Sequence, residues 1–148
     1  TNTYFGGTVV SAGTLTAGRM ADGIGGTGSG IGSGSLVING GSMRFGVSLM
    51  PVTNTVAGSV VFYGGTLSAA AVYNLGQITV GGQLNTIVSD LYNSGIVSNN
   101  AGTLLVGVGG SGMVTNSGTI ALAGVPGTAG YFSKEEVLGA TRSRNEPR

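Results

Sequence analysis

Polar and apolar residues alternate along most of this chain in short runs, and a glycine introduces each run. The recurring unit is Gly, then Ser, Thr or Gln, then an apolar residue. It occurs in six pairs, led by Gly7 and Gly13, Gly34 and Gly41, Gly58 and Gly65, Gly76 and Gly82, Gly95 and Gly102, and Gly112 and Gly118. The second residue after the glycine is apolar in all twelve units: Val9, Leu15, Leu36, Met43, Val60, Leu67, Ile78, Leu84, Val97, Leu104, Val114 and Ile120. The first is Ser, Thr or Gln in ten of them, with Ile96 and Met113 as the exceptions. A period of two with one apolar side predicts strands of about four or five residues, polar out and apolar in. The fourth position often adds a second inward side chain, at Ile38, Phe45, Phe62, Val80, Val106 and Leu122.

The glycines of a pair lie six or seven residues apart, and successive pairs begin 27, 24, 18, 19 and 17 residues apart. The later intervals suit one coil of a β-solenoid, in which each coil stacks on the last and shares its core. Two strands per coil argue against a Greek-key sandwich of twelve short strands. Coils about 4.8 Å apart would give a short rod of roughly 30 Å. The long first interval holds GIGGTGSGIGSG (23–34), expected to loop out, and Pro51 in LMPVTN (49–54) marks a turn or strand edge. Asn accompanies the glycine in NLG (74–76), NSG (93–95), NAG (100–102) and NSG (116–118). Both residue types tolerate the left-handed backbone of a corner. The expected fold is therefore all-β: a β-solenoid of about six coils over residues 1–130, with a loop insertion at about 19–33 and a short non-repetitive tail over 131–148.

Composition strengthens this picture. Glycine supplies 31 of 148 residues, which disfavours helix, and a hydrophobic content of 41% is too high for a disordered chain. Charged residues make up 7%; residues 1–130 hold only Arg19, Asp22, Arg44 and Asp90, and the other seven crowd into the last fifteen. With a net charge of +1 there is no basic field for nucleic acid and no polybasic face for a membrane. GSVVFYGGTLSAAAVYNLG (58–76) has the length of a membrane span, but its alternation belongs to strands, so no transmembrane segment is expected. The chain starts at Thr1 and shows no signal peptide, as expected of a processed product or a fragment.

Candidate chemistry is sparse. GIGGTG (23–28) and GVGGSG (107–112) match G-x-G-x-x-G, but a dinucleotide site also needs a buried strand before it and a helix after it. There is no Cys and no His, and Asp22 and Asp90 are far apart in sequence. No serine or threonine has an activating partner in view. The expectation is a protein that is not an enzyme, with no catalytic residue, no cofactor and no metal site. Among the aromatics, Phe45 and Phe62 take inward positions. Tyr63, Tyr73 and Tyr92 are either packed coil corners or an exposed stack for a sugar or a protein partner.

The tail YFSKEEVLGATRSRNEPR (131–148) departs from the repeat. Ser133 and Glu136 make a capping-box pattern, and the helical turn it could start is too short to be stable alone. Two roles are open: a cap folded over the last coil, shielding its strand edge, or an arm that joins a neighbouring subunit. Tyr131, Phe132, Val137 and Leu138 are the candidate contacts in either case. A homo-oligomer or end-to-end polymer is the partner class this implies.

NTYFGGTVVSAGTLTAG (2–18) resembles the passenger-associated repeat of bacterial autotransporters. The matching residues are Asn2, Thr3, Tyr4, Gly6, Gly7, Thr8, Gly13, Thr14, Leu15 and Gly18. YNSGIVSNNAGTLLVG (92–107) and VTNSGTIALAG (114–124) are similar to the Asn-Ser-Gly-Thr-Ile coils of large surface adhesins. The resemblance implies a right-handed β-helix, secreted or displayed at a bacterial surface, acting as an adhesin or structural stalk with a cell-surface or glycan ligand. The chain departs from that family in having no membrane β-barrel, and similar repeats occur in phage fibres. The expected function is thus a non-enzymatic extracellular structural or adhesive protein. The alternative is a self-assembling subunit of an extracellular fibre or virion appendage.

Overall fold

In the computed structural model, residues 5–18, 23–26 and 31–122 are described. The tail and its candidate contacts Tyr131, Phe132, Val137 and Leu138 lie outside the described residues. In chain order the strands are β1 (Thr8–Val10), β2 (Thr14–Ala17), β3 (Leu36–Ile38), β4 (Ser42–Phe45), β5 (Val52–Asn54), β6 (Ser59–Phe62) and β7 (Gly65–Asn74). They continue as β8 (Gln77–Val80), β9 (Leu84–Asn93), β10 (Ile96–Asn99), β11 (Thr103–Val106), β12 (Val114–Asn116) and β13 (Thr119–Leu122). Every pairing is parallel. The chain winds as a β-solenoid of about four full turns: β3–β4–β5, β6–β7, β8–β9 and β10–β11–β12. β1 and β2 precede this stack and β13 follows it.

Each full turn has three faces where the sequence pattern predicted two strands. The first face is one sheet in the order β1-β3-β6-β8-β10-β13, and the second runs β11-β9-β7-β4-β2. β7 and β9, ten residues each, bend out of the second face; their last four residues pair with each other, and the last three pair with β5 and β12, to make a third. Against the six coils expected, four turns are complete among the described residues, and β1–β2 and β13 belong to turns that those residues do not complete. Gly112 leads β12 on the third face and does not start a coil; the coil start is Gly118, ahead of β13.

The core fills the space between the faces. Leu36, Val60, Ile78 and Val97 form one buried column, Met43, Leu67 and Ile87 a second, and Val52, Val72 and Leu91 a third. Phe45 and Phe62 are fully enclosed, as their inward positions predicted. Six of the twelve predicted inward positions are buried. Leu15, Val114 and Ile120 point inward but are exposed, lying in the first and last rungs of the described residues. Leu104 packs half-buried against the core.

Two positions are corrected. Thr8 aligns with Leu36 and Val10 with Ile38, so β1 counts from Gly6, and Val9 faces solvent at 62% exposure. A slip of one residue moves every side chain of a strand to its other side. In β9 Leu84 also points out, and Ile87 takes the inward place opposite Leu67. The cause is Asn85, buried at the corner: its Oδ1 accepts from the Gly64 N–H at 2.7 Å, while its Nδ2 donates to the carbonyls of Gln83 (2.8 Å) and Thr103 (3.2 Å).

The corners differ in what they require. Gly13, Gly82 and Gly102, between the first and second faces, have positive φ of 70, 81 and 87°. Gly76, Gly95 and Gly118, between the third face and the next first face, do not. There a Cβ would strike the carbonyl of the coil below, that of Gly76 in the case of Gly95 and that of Gly95 in the case of Gly118. The corner between the second and third faces varies most. It is a loop over 46–51 between β4 and β5, a register shift between Ser68 and Ala71 inside β7, and a 3-10 turn (Val108–Gly110) with flanks between β11 and β12. That turn lies within GVGGSG, so this match opens no helix of a dinucleotide site. In the first loop the Arg44 guanidinium donates to the carbonyls of Gly46 (3.2 Å) and Val47 (2.8 Å). Of the stretch expected to loop out, Ile24 is buried in the core and bridges Asn54, and Ile31 is buried too.

Candidate functional site

The third face carries the side chains with most binding chemistry, and a polar ladder inside it fixes their register. Its motif is an apolar residue, then Thr or Tyr, then Asn: Val52-Thr53-Asn54, Val72-Tyr73-Asn74, Leu91-Tyr92-Asn93 and Val114-Thr115-Asn116. Apolar residue and Asn point inward, and the residue between them points out. Asn54 donates to Asn74 Oδ1, Asn74 to Asn93 Oδ1 and Asn93 to Asn116 Oδ1, each at 2.7 Å and with separations of 20, 19 and 23 residues, one coil. The remaining Nδ2 hydrogens reach main-chain carbonyls around the corner: Gln77, Ile96 and Thr119 at 3.1 Å each, and Gly118 for Asn116 at 3.1 Å.

These asparagines do not supply left-handed corners; among the described residues no non-glycine has positive φ. Their chemistry is that of buried amides bonded one to the next, with only the Asn54 Oδ1 at the head of the ladder left without a donor among the described residues; low dielectric strengthens such bonds and makes them costly to break. Asn54, Asn74 and Asn93 are buried, and the ladder therefore locks each coil to the next.

Locked register aligns the outward residues into one column, Thr53–Tyr73–Tyr92–Thr115. The two tyrosine rings stack with centroids 5.0 Å apart and planes inclined by 14°. Tyr73 is 42% exposed and Tyr92 half-buried. Tyr63 does not join them: it is at the end of β6, its N–H bonded to the Ile38 carbonyl. Of Tyr63, Tyr73 and Tyr92, read as either packed coil corners or an exposed stack, Tyr73 and Tyr92 are brought together in a stack.

The flanks of Tyr92 are polar. Asp90, two residues earlier on the same side of β9, accepts the Met113 N–H at 2.8 Å through Oδ1. A carboxylate has further acceptor capacity beyond that bond. On the other flank Ser94 and Ser117 share a hydroxyl–hydroxyl bond of 2.9 Å. Tyr73 is flanked instead by Ala71 and exposed Leu75. This arrangement can stack a ring and exchange hydrogen bonds with hydroxyls. Among the described residues no three His, Cys, Asp or Glu side chains gather as metal ligands, and no helix is long and apolar enough to cross a membrane. No protein-family model, curated protein or solved structure matches the chain.

Proposed function

We propose that this is a non-enzymatic structural or adhesive protein of the cell exterior, built like a segment of an autotransporter passenger. One observation carries the reading: the solenoid repeats its outward chemistry from coil to coil. Thr14, Ser42, Thr66 and Thr86 align in a column of hydroxyls on the second face, as Tyr73 and Tyr92 align on the third. A surface of repeated, shallow, neutral groups is suited to extended contact, whereas catalysis asks for a concave site with convergent titratable groups. The resemblance of residues 2–18 to the passenger-associated repeat points the same way. Completed by residues 1–22 and 117–130, the stack would reach six coils. Its right-handed sense follows from the handedness of parallel strand crossovers.

The test is adhesion. Beads coated with the purified chain are counted on cultured epithelial cells and on a bacterial lawn, beside albumin-coated beads. Binding several-fold above albumin on either surface supports the reading; parity on both rules out adhesion.

The alternative is a subunit of a fibre. It rests on the last rung, where Val114 and Ile120, inward by register, are 44% and 42% exposed, and where β11, β12 and β13 have no further strand beside them among the described residues. Open edges of parallel rungs are templates for another chain. Here Tyr131, Phe132, Val137 and Leu138 would make the joint, or else cap the edge. Electron microscopy at micromolar concentration separates the two roles: filaments lost on deleting 131–148 mean a joint, and aggregation gained on deletion means a cap.

A further inference from the structure

We infer that the outer face of the Tyr92 ring, at the level of Thr115, is a stacking site for a neutral sugar ring. The inference deepens the adhesive reading and rests on it for the setting, but its grounds are local. Among the described residues the two stacked rings cover each other on one side only. The next rungs along the column hold Thr53 and Thr115, whose short side chains place no second ring on the remaining faces. An aromatic face is negative and takes the C–H-bearing face of a pyranose, whose hydrogens are slightly positive.

The flanks choose between the two ends of the column. Beside Tyr73 stand Ala71 and Leu75, which offer a sugar no hydrogen bonds. Beside Tyr92 stand the Asp90 carboxylate and the Ser94–Ser117 hydroxyl pair, acceptor on one side and mixed donor and acceptor on the other. A ring with one apolar face and a rim of hydroxyls satisfies all three at once. The charge selects further. Asp90 is the charged residue of this face among the described residues, so an acidic sugar would bring like charge to it, with no cation alongside. The occupant that fits is a neutral hexose or N-acetylhexosamine unit at a chain end or in a linear glycan.

The test uses the full chain and defined probes: tetrasaccharides of glucose, mannose, galactose and N-acetylglucosamine, with tetragalacturonate as the acidic comparison. Binding is read by saturation-transfer NMR and by quenching of tyrosine emission, which no Trp obscures in this sequence. At least one neutral probe binds, tetragalacturonate does not, and Tyr92→Ala weakens binding about tenfold while Tyr63→Ala leaves it unchanged. Thr115→Ile, which crowds the open ring face with an aliphatic side chain and removes neither Tyr92 nor the flanking polar groups, weakens it as well. Circular dichroism of each variant guards against unfolding. Three results would overturn the site: no neutral probe binding, a preference for the acidic probe, or binding undiminished in both folded variants. The bead assay keeps the two readings apart. Adhesion that survives Tyr92→Ala leaves an adhesive protein without this site, and sugar binding without bead adhesion leaves the site without the adhesive function.

Discussion

Replacing Asn74 by Leu isolates what the asparagine ladder contributes. Leucine has the same branching at Cγ, so the volume inside the third face is nearly kept while the polar bonds are lost. Asn74 accepts from Asn54 and donates to Asn93 Oδ1 at 2.7 Å and to the Ile96 carbonyl at 3.1 Å. Asn54 keeps its second bond to the Gln77 carbonyl. Asn93 Oδ1 and one Nδ2 hydrogen of Asn54 are stranded in a buried site, and each stranded group costs about 1–3 kcal/mol. With leucine's apolar burial set against this, the net loss is about 3 kcal/mol, from a stability of about 5–15 kcal/mol for a domain. Asn116, at the exposed end of the ladder, accepts one bond and donates one, to the Gly118 carbonyl. Water takes over there, and Asn116→Leu costs less than about 1 kcal/mol. Urea unfolding measures both, and at a slope of about 2 kcal/mol per molar the Asn74 midpoint falls by roughly 1.5 M with the slope unchanged. A combined replacement of Asn54, Asn74 and Asn93 by Leu recovers part of the loss, since no neighbouring amide is left stranded. An Asn74→Leu protein as stable as the parent, or no less stable than Asn116→Leu, would refute the reasoning.

Other predictions concern the corners and the register. Gly95→Ala costs about 3 kcal/mol, because its Cβ meets the Gly76 carbonyl and the coils must separate. Gly82→Ala costs only about 1–2 kcal/mol, since nothing lies within 4 Å and the penalty is that of a φ of 81°; thermal melts of the pair give the order. Val10→Ser loses about 2 kcal/mol and Val9→Ser less than about 0.5 kcal/mol, the opposite of what counting from Gly7 predicts. Phe62→Ala, in the fully enclosed part of the core, loses about 3–5 kcal/mol by the same melts.

Two faces of the solenoid were legible in the sequence and the third was not. The glycine-led unit identifies β3, β4, β6, β8 and β10 because there the polar residue points out and the apolar one in. It misjudges β1 because Gly6 and Gly7 are adjacent and TVV reads equally well in either register. It misjudges β9 because a buried polar residue, Asn85, takes a place that hydrophobicity would give to a neighbour. The third face escaped because its inward columns are half asparagine, which looks like turn chemistry. Its signal was nonetheless present: an apolar residue, Thr or Tyr, and Asn, four times, one coil apart. Aligning those four triplets would have put Tyr73 beside Tyr92 and left Tyr63 out. The polar flank of Asp90 and the serine pair depends on which residues share a rung, and only the folded register supplies that.

The uneven corner between the second and third faces has a consequence for how such a chain can change. Two edges of the prism are tied, one by glycines that permit no side chain between coils and the other by turns of demanding backbone geometry. The remaining edge already carries a six-residue loop in one turn and a slight irregularity in the next, with the same rungs above and below. Chain added there leaves every ladder in register, and lengthening a surface loop adds little closure entropy, about 0.6 kcal/mol per doubling. That edge is a seam along which the protein can accept new sequence, one coil at a time, while the stack beneath it stays as it is.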